Sequence, residues 1–179
     1  METKGEIKEV DFKHPPVNEV VFGAQFKPIK DFLTPYIGVF WNTIGRGEYP
    51  KCQEASCLLH MIEEKNETKK EPLFLSDLNL PPNPRVFFIN SKGDKLIQVQ
   101  KDRFLRNWRK INATDDYPQY ETLLPEFKES IDKLKSFILE ELNVNLNVDQ
   151  YELTYVNHIP ADGELNDKLL SKYFPIYTD

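Results

Sequence analysis

Cysteine is scarce, with only two among 179 residues. Two thiols cannot build a disulfide framework, so the fold must hold by burial, and a reducing compartment, the cytoplasm, is the expected location. Glycine is sparse too, and Gly23, Gly38, Gly45, Gly47, Gly93 and Gly163 lie too far apart to form a phosphate-cradling loop. Apolar runs are short, as in Val86 to Ile89, which argues against a membrane-spanning helix. The first thirteen residues carry seven charges and no apolar centre. They do not resemble a signal peptide, and residues 1–14 are expected to be a flexible tail. Also missing are the G-x-S-x-G and H-E-x-x-H patterns and any cysteine–histidine pair in a supporting context. No reaction and no cofactor is therefore expected.

What is present is the composition of a globular domain, 40% hydrophobic and 29% charged with a net charge of −6. A single α+β domain is expected over 15–160, followed by a C-terminal extension over 161–179. From Val17 to Lys27, apolar Val20, Phe22, Ala24 and Phe26 alternate with polar neighbours, the period of a strand with one buried face. Thr34-Pro35 marks a helix start, Leu33, Ile37, Phe40 and Ile44 recur at helical spacing, and Gly45 and Gly47 stop the helix. The stretch 49–84 reads as an insertion, rich in proline and in charge, that packs over the core partly as an edge strand. Arg85 to Ile89, a turn through Asn90 and Gly93, and a strand from Leu96 make a hairpin. A second helix opens at Leu124-Pro125, with Leu124, Phe127, Ile131, Leu134, Ile138 and Leu142 on one stripe. A last strand runs from Val148 to Ile159, with Tyr151, Leu153 and Tyr155 on one face. The order βαββαβ predicts a ferredoxin-like split βαβ core, with both helices on one side of a four-stranded antiparallel sheet. The other side is left to the insertion, a partner or solvent.

The charge is uneven. Residues 95–110 hold six positive groups and one negative, a net +5, and the total of −6 leaves −11 for the remainder. Phe104 and Trp108 are interleaved with the cations. Lys101, Arg103, Arg106, Asn107, Trp108 and Arg109 are therefore candidate contact residues. Arginine and tryptophan together anchor protein interfaces. Guanidinium groups beside aromatic faces also suit phosphates and bases, so nucleic acid or a nucleotide is the alternative ligand. A third reading is internal, with the arginines paired to carboxylates of a neighbouring helix and their stems packed on Trp108. The acidic remainder, with Glu126, Glu129, Asp132, Glu140 and Glu141 on the second helix, suits either a basic partner or plain solubility.

Two smaller constellations complete the inventory. Cys52, Cys57 and His60 form C-x4-C-x2-H, with His14, His158 or Glu63 as a conceivable fourth zinc ligand. Structural zinc sites come as two tight pairs, and here Leu58 and Leu59 point to buried cysteines, so no metal is expected. Tyr155, Asn157 and His158 could form a polar site with His158 as the base of a hydrolase, or could tie down the end of the strand.

Several segments resemble a sporadically distributed, uncharacterised bacterial protein family. They are Pro16-Val17-Asn18-Glu19-Val20-Val21-Phe22-Gly23, Phe40-Trp41, the run from Ile97-Gln98-Val99-Gln100 through Asp102-Arg103-Phe104 to Asn107-Trp108-Arg109, Tyr117-Pro118 with Tyr120-Glu121, and Glu152 to Ile159. The resemblance covers about 15–160. It implies that this chain corresponds to the N-terminal domain of a longer protein, and it carries no activity to transfer. The family's patchy distribution implies a bacterial defence or toxin–antitoxin-type setting. The expected function is a non-enzymatic protein-binding module, whose partner is a neighbouring gene product or a second copy.

Overall fold

The structure, a computed structural model, describes residues 15–59, 61–64, 67–70, 84–160, 166–174 and 176. The expected tail, His14, His60 and the apolar segment 73–80 lie outside these residues. The chain is α+β. In order it forms β1 (Val17–Phe26), α1 (Thr34–Ile44), β2 (Lys51–Ala55), β3 (Met61–Glu64), β4 (Glu67–Lys70), β5 (Arg85–Ile89), β6 (Lys95–Gln100), β7 (Arg103–Arg109), α2 (Tyr120–Leu142), β8 (Val148–Asn157) and α3 (Asp167–Tyr173). Six strands make one sheet in the order β2-β5-β6-β7-β1-β8, every neighbour antiparallel, and β3 pairs with β4. Among the described residues no helix is long and apolar enough to cross a membrane.

This differs from the expected four-stranded sheet. The stretch 95–110 is not one strand but two. They fold back at Lys101-Asp102, so that Gln100 pairs with Arg103 and β7 lies between β6 and β1. Glycine or asparagine at positive φ is the usual marker of a two-residue hairpin, but neither turn residue here has positive φ. Tertiary contacts hold the turn instead. The Lys101 and Asp102 carbonyls accept from the Ile29 and Phe26 N–H groups, each at 3.0 Å. The β5–β6 hairpin forms as expected. At its turn Gly93 takes φ +86°, and the Asn90 side chain accepts from the Gly93 and Lys95 N–H groups.

Alternation then decides the layers. Val20, Phe22, Ala24, Phe26, Val86, Phe88, Ile97, Val99, Phe104 and Trp108 are buried on one side of the sheet. Above them α1 contributes Ile37, Phe40 and Ile44, and α2 contributes Leu123, Phe127, Ile131, Leu134, Phe137 and Ile138. Phe40 stands 5.3 Å from Phe137, and Phe22 stacks on Phe127 at 5.5 Å, centroid to centroid. Burying an aromatic or large aliphatic side chain contributes about 1.5–3 kcal/mol, so this layer dominates stability. Helix α2 starts at Tyr120 rather than Leu124, which places Pro125 inside it. There the proline removes one backbone donor early in the helix. Of the expected α2 stripe, Phe127, Ile131, Leu134 and Ile138 are buried and Leu124 and Leu142 half-buried, while Leu123 and Phe137 join the buried face.

Candidate functional site

The basic strand β7 presents two faces. Phe104, Arg106 and Trp108 point under the helices, while Arg103, Leu105, Asn107 and Arg109 point to the other side of the sheet. Residues Arg103 to Trp108 are all buried, and only Lys101, Arg109 and Lys110 are half-exposed.

Arg106 is the centre of the helix-side arrangement. One terminal nitrogen donates to the Tyr49 hydroxyl at 2.9 Å and the Ser130 hydroxyl at 3.0 Å, and the other to a Glu126 carboxylate oxygen at 2.6 Å. The second Glu126 oxygen accepts from Lys95 at 2.7 Å. The sequence placed Glu126 on an acidic outer face, but in the fold it turns inward to meet Arg106. Burial pushes the Tyr49 phenol up, and its pKa reaches about 12 although the neighbouring Arg106 charge opposes the rise. Burial also works against the Glu126 charge, but the donors on Lys95 and Arg106 outweigh it and hold the carboxyl below its ordinary value. A cavity of about 170 Å³ opens beside this cluster, rimmed by Glu48, Glu129 and Lys133 and floored by Ile44 and Ile97. Its charges of opposite sign are balanced, with Glu129 held by Lys133 at 2.7 Å. The arrangement is a buried ion pair with satisfied neighbours, which favours one sheet-to-helix register. It is not a vacant anion site. The internal reading of the basic stretch therefore describes Arg106, and a charge reversal there would place two carboxylates together in the core.

Trp108 packs on Tyr117 at 5.7 Å, and Tyr117 in turn meets the Tyr155 ring edge-on at 6.4 Å. The two phenol oxygens are 3.4 Å apart. Burial first, then the Tyr155 hydroxyl, raises the Tyr117 pKa.

On the opposite face a polar network replaces the apolar core. One row across β6, β7, β1 and β8 reads Gln100, Arg103, Gln25, Gln150. Arg103 donates to Gln25 at 2.6 Å and to the Leu59 carbonyl at 3.0 Å, and Gln25 donates to Glu152. Gln100 bridges Asp102 and both backbone groups of Leu58. Asn107 links Gln98 to Glu19 at 2.8 and 2.6 Å. Leu58 and Leu59 thus lie over the Gln100–Arg103 end of this face, and the side-chain donors of Arg103 and Asn107 are spent on neighbours within the protein. Arg109 donates to the Gly93 carbonyl at 2.7 Å. Of the expected contact residues, then, Arg103, Arg106, Asn107 and Trp108 belong to the interior. Alternation sends Arg106 and Trp108 beneath the helices and Arg103 and Asn107 into the polar network on the other face.

The remaining candidates are dispersed. Cys52 is exposed on β2 and Cys57 half-buried beyond it. Burial raises both thiols, with help from Glu54 at Cys52 and from Asp102 at Cys57. Among the described residues no group of three histidine, cysteine or carboxylate side chains could hold a metal. Asn157 and His158 are exposed at the end of β8. It is the His158 backbone N–H, donating to the Pro16 carbonyl at 2.8 Å, that ties this end down.

The surface that sequence reasoning missed is the outer edge of β8. This strand is ten residues long and last in the sheet, and among the described residues no strand pairs with its outer side. Tyr151, Leu153, Tyr155 and Val156 are 60, 44, 41 and 42% exposed. The strand holds neither lysine nor proline, and its pairing with β1 runs unbroken from Gln150 to Val156, with a register shift beyond each end of that run. Edge strands are ordinarily guarded by such residues, by bulges or by shortness. The opposite edge, β2, follows that rule with five residues that include Lys51 and Glu54. The alternation Tyr151, Leu153, Tyr155 was visible in the sequence, but its edge position was not. Compared with protein-family models, with curated proteins and with solved structures, the chain finds no match.

Proposed function

We propose that this protein is a non-enzymatic protein-binding module that takes an extended polypeptide segment as an added strand along β8. The observation that carries the reading is the regular run Gln150–Val156 along the outer edge of β8, with four exposed apolar side chains. Strand addition draws affinity from main-chain hydrogen bonds and specificity from alternate side chains, and β8 offers both. The interior placement of Arg103 and Arg106 supports this edge, rather than the basic strand, as the contact surface. The same reading takes β1, α1, β6, β7, α2 and β8 as a ferredoxin-like core extended by β5 and β2. The side-by-side order β8-β1-β7-β6 supports it.

The test is selection from a displayed library of extended peptides. Enriched peptides should alternate apolar and polar residues, and Leu153→Lys should weaken their capture at least about tenfold. Because Leu153 is exposed, the melting temperature should hold. Peptides that bind Leu153→Lys as well as the parent protein, or the absence of any enrichment, would refute the reading.

A further inference from the structure

Resting on the reading of β8 as a strand-accepting edge, we infer that the strand it accepts is β8 of a second copy of this chain, antiparallel about a two-fold axis at Leu153. A two-fold perpendicular to the sheet maps each face onto itself. Residues directly opposite must then both be odd or both be even in number, which leaves few registers. With the axis at Leu153, Tyr151 meets Tyr155 of the other copy on either side of a Leu153–Leu153 contact. All three residues stand on the helix-covered face, as Tyr151 against Phe127 and Tyr155 against Tyr117 show. On the other face Glu152 meets Thr154 and Gln150 meets Val156.

Charge selects this register. The strand carries two carboxylates, Asp149 and Glu152, and neither meets a negative group. An axis one residue earlier sets Glu152 opposite Glu152, and like charges directly opposite are destabilising. An axis one residue later pairs Tyr151 with Asn157 and loses the aromatic contacts. The Leu153 register also pairs residues 150–156 of each copy, the whole run over which β8 pairs regularly with β1. Helix α2 lies over β7 and β1 and meets β8 through Phe127 against Tyr151. Joining the two sheets covers this edge of each copy.

The experiment uses the full chain with Cys52 and Cys57 replaced by serine. Sedimentation velocity from about 1 μM to about 1 mM should show a monomer–dimer equilibrium within that range. Leu153→Cys should then oxidise to a disulfide-linked dimer, because opposed Cα atoms lie about 4.5–5.5 Å apart, within disulfide reach. Tyr151→Cys alone should not cross-link, since its copies stand roughly 13 Å apart along the strand. Mixed with Tyr155→Cys, it should. A monomer at every concentration overturns the inference, and so does Tyr151→Cys linking to itself as readily as Leu153→Cys. A monomer that still captures displayed peptides through β8 refutes the second copy alone. A dimer indifferent to Leu153→Lys, with peptide capture equally indifferent, refutes the strand-addition reading as well.

Discussion

Replacing Glu126 by alanine should destabilise this protein severely, although the sequence would place Glu126 on a solvated helix face. The Arg106 side chain is 9% exposed and that of Glu126 27%. Without the carboxylate, the guanidinium keeps only the neutral Tyr49 and Ser130 hydroxyls, and a buried charge loses its counter-charge. Breaking such a pair costs about 3–5 kcal/mol when both groups are buried. Glu126 is partly wetted, so the lower end applies, about 3 kcal/mol. The half-exposed Lys95 contact adds little. In a domain of this size that loss lowers the melting temperature by about 6–12 °C. Urea unfolding of the parent, Glu126→Ala, Arg106→Met and the double variant Arg106→Met/Glu126→Leu would measure it. The double variant removes both charges and should regain most of the loss. The acid limb should change as well. A carboxyl whose folded pKa is depressed adds stability above its unfolded value, about 4.3, and loses it as pH falls through the folded value. Glu126→Ala should therefore unfold with a shallower dependence on pH below that point. A loss under about 1 kcal/mol, or a double variant no better than Glu126→Ala, would refute the reasoning.

Two further expectations follow from the geometry. A methyl group on Gly23 would stand 2.8 Å from Leu105 Cδ2 and 3.3 Å from the Glu152 Cβ. Gly23→Ala should then cost about 1–3 kcal/mol by overpacking, read by urea unfolding, and should be eased by Leu105→Ala in the same chain. Asp115 accepts from the Ile111 and Asn112 N–H groups and pairs with Lys92. The backbone donors, with help from Lys92, hold its pKa at about 2. Since this folded value is depressed, the turn at 111–115 should hold above about pH 3.9 and loosen as pH falls through about 2, which carbonyl-carbon NMR titration would follow. An ordinary titration midpoint would show that the turn does not hold the carboxylate.

Much of the architecture follows from local pattern. The stripe Phe127, Ile131, Leu134 and Ile138 determines α2, because a helix can bury only one face. Asn90 and Gly93 determine the β5–β6 turn, because one side chain accepts from two N–H groups and a residue without Cβ takes positive φ. Period two in Val20, Phe22, Ala24 and Phe26 determines which face of β1 is buried. Local pattern does not reach the rest. The fold-back at Lys101-Asp102 has no turn signature of its own; Phe26 at the end of β1 and Ile29 beyond it supply its donors. That split doubles the basic stretch into β6 and β7 and turns Arg106 beneath the helices. Its partner, Glu126, lies twenty residues away on α2. The six-stranded order likewise leaves β8 last, an outcome that no window of its own sequence contains. Residue spacing specifies which side chains share a face. Only the pairing of distant strands decides whether that face, or that edge, meets protein or water.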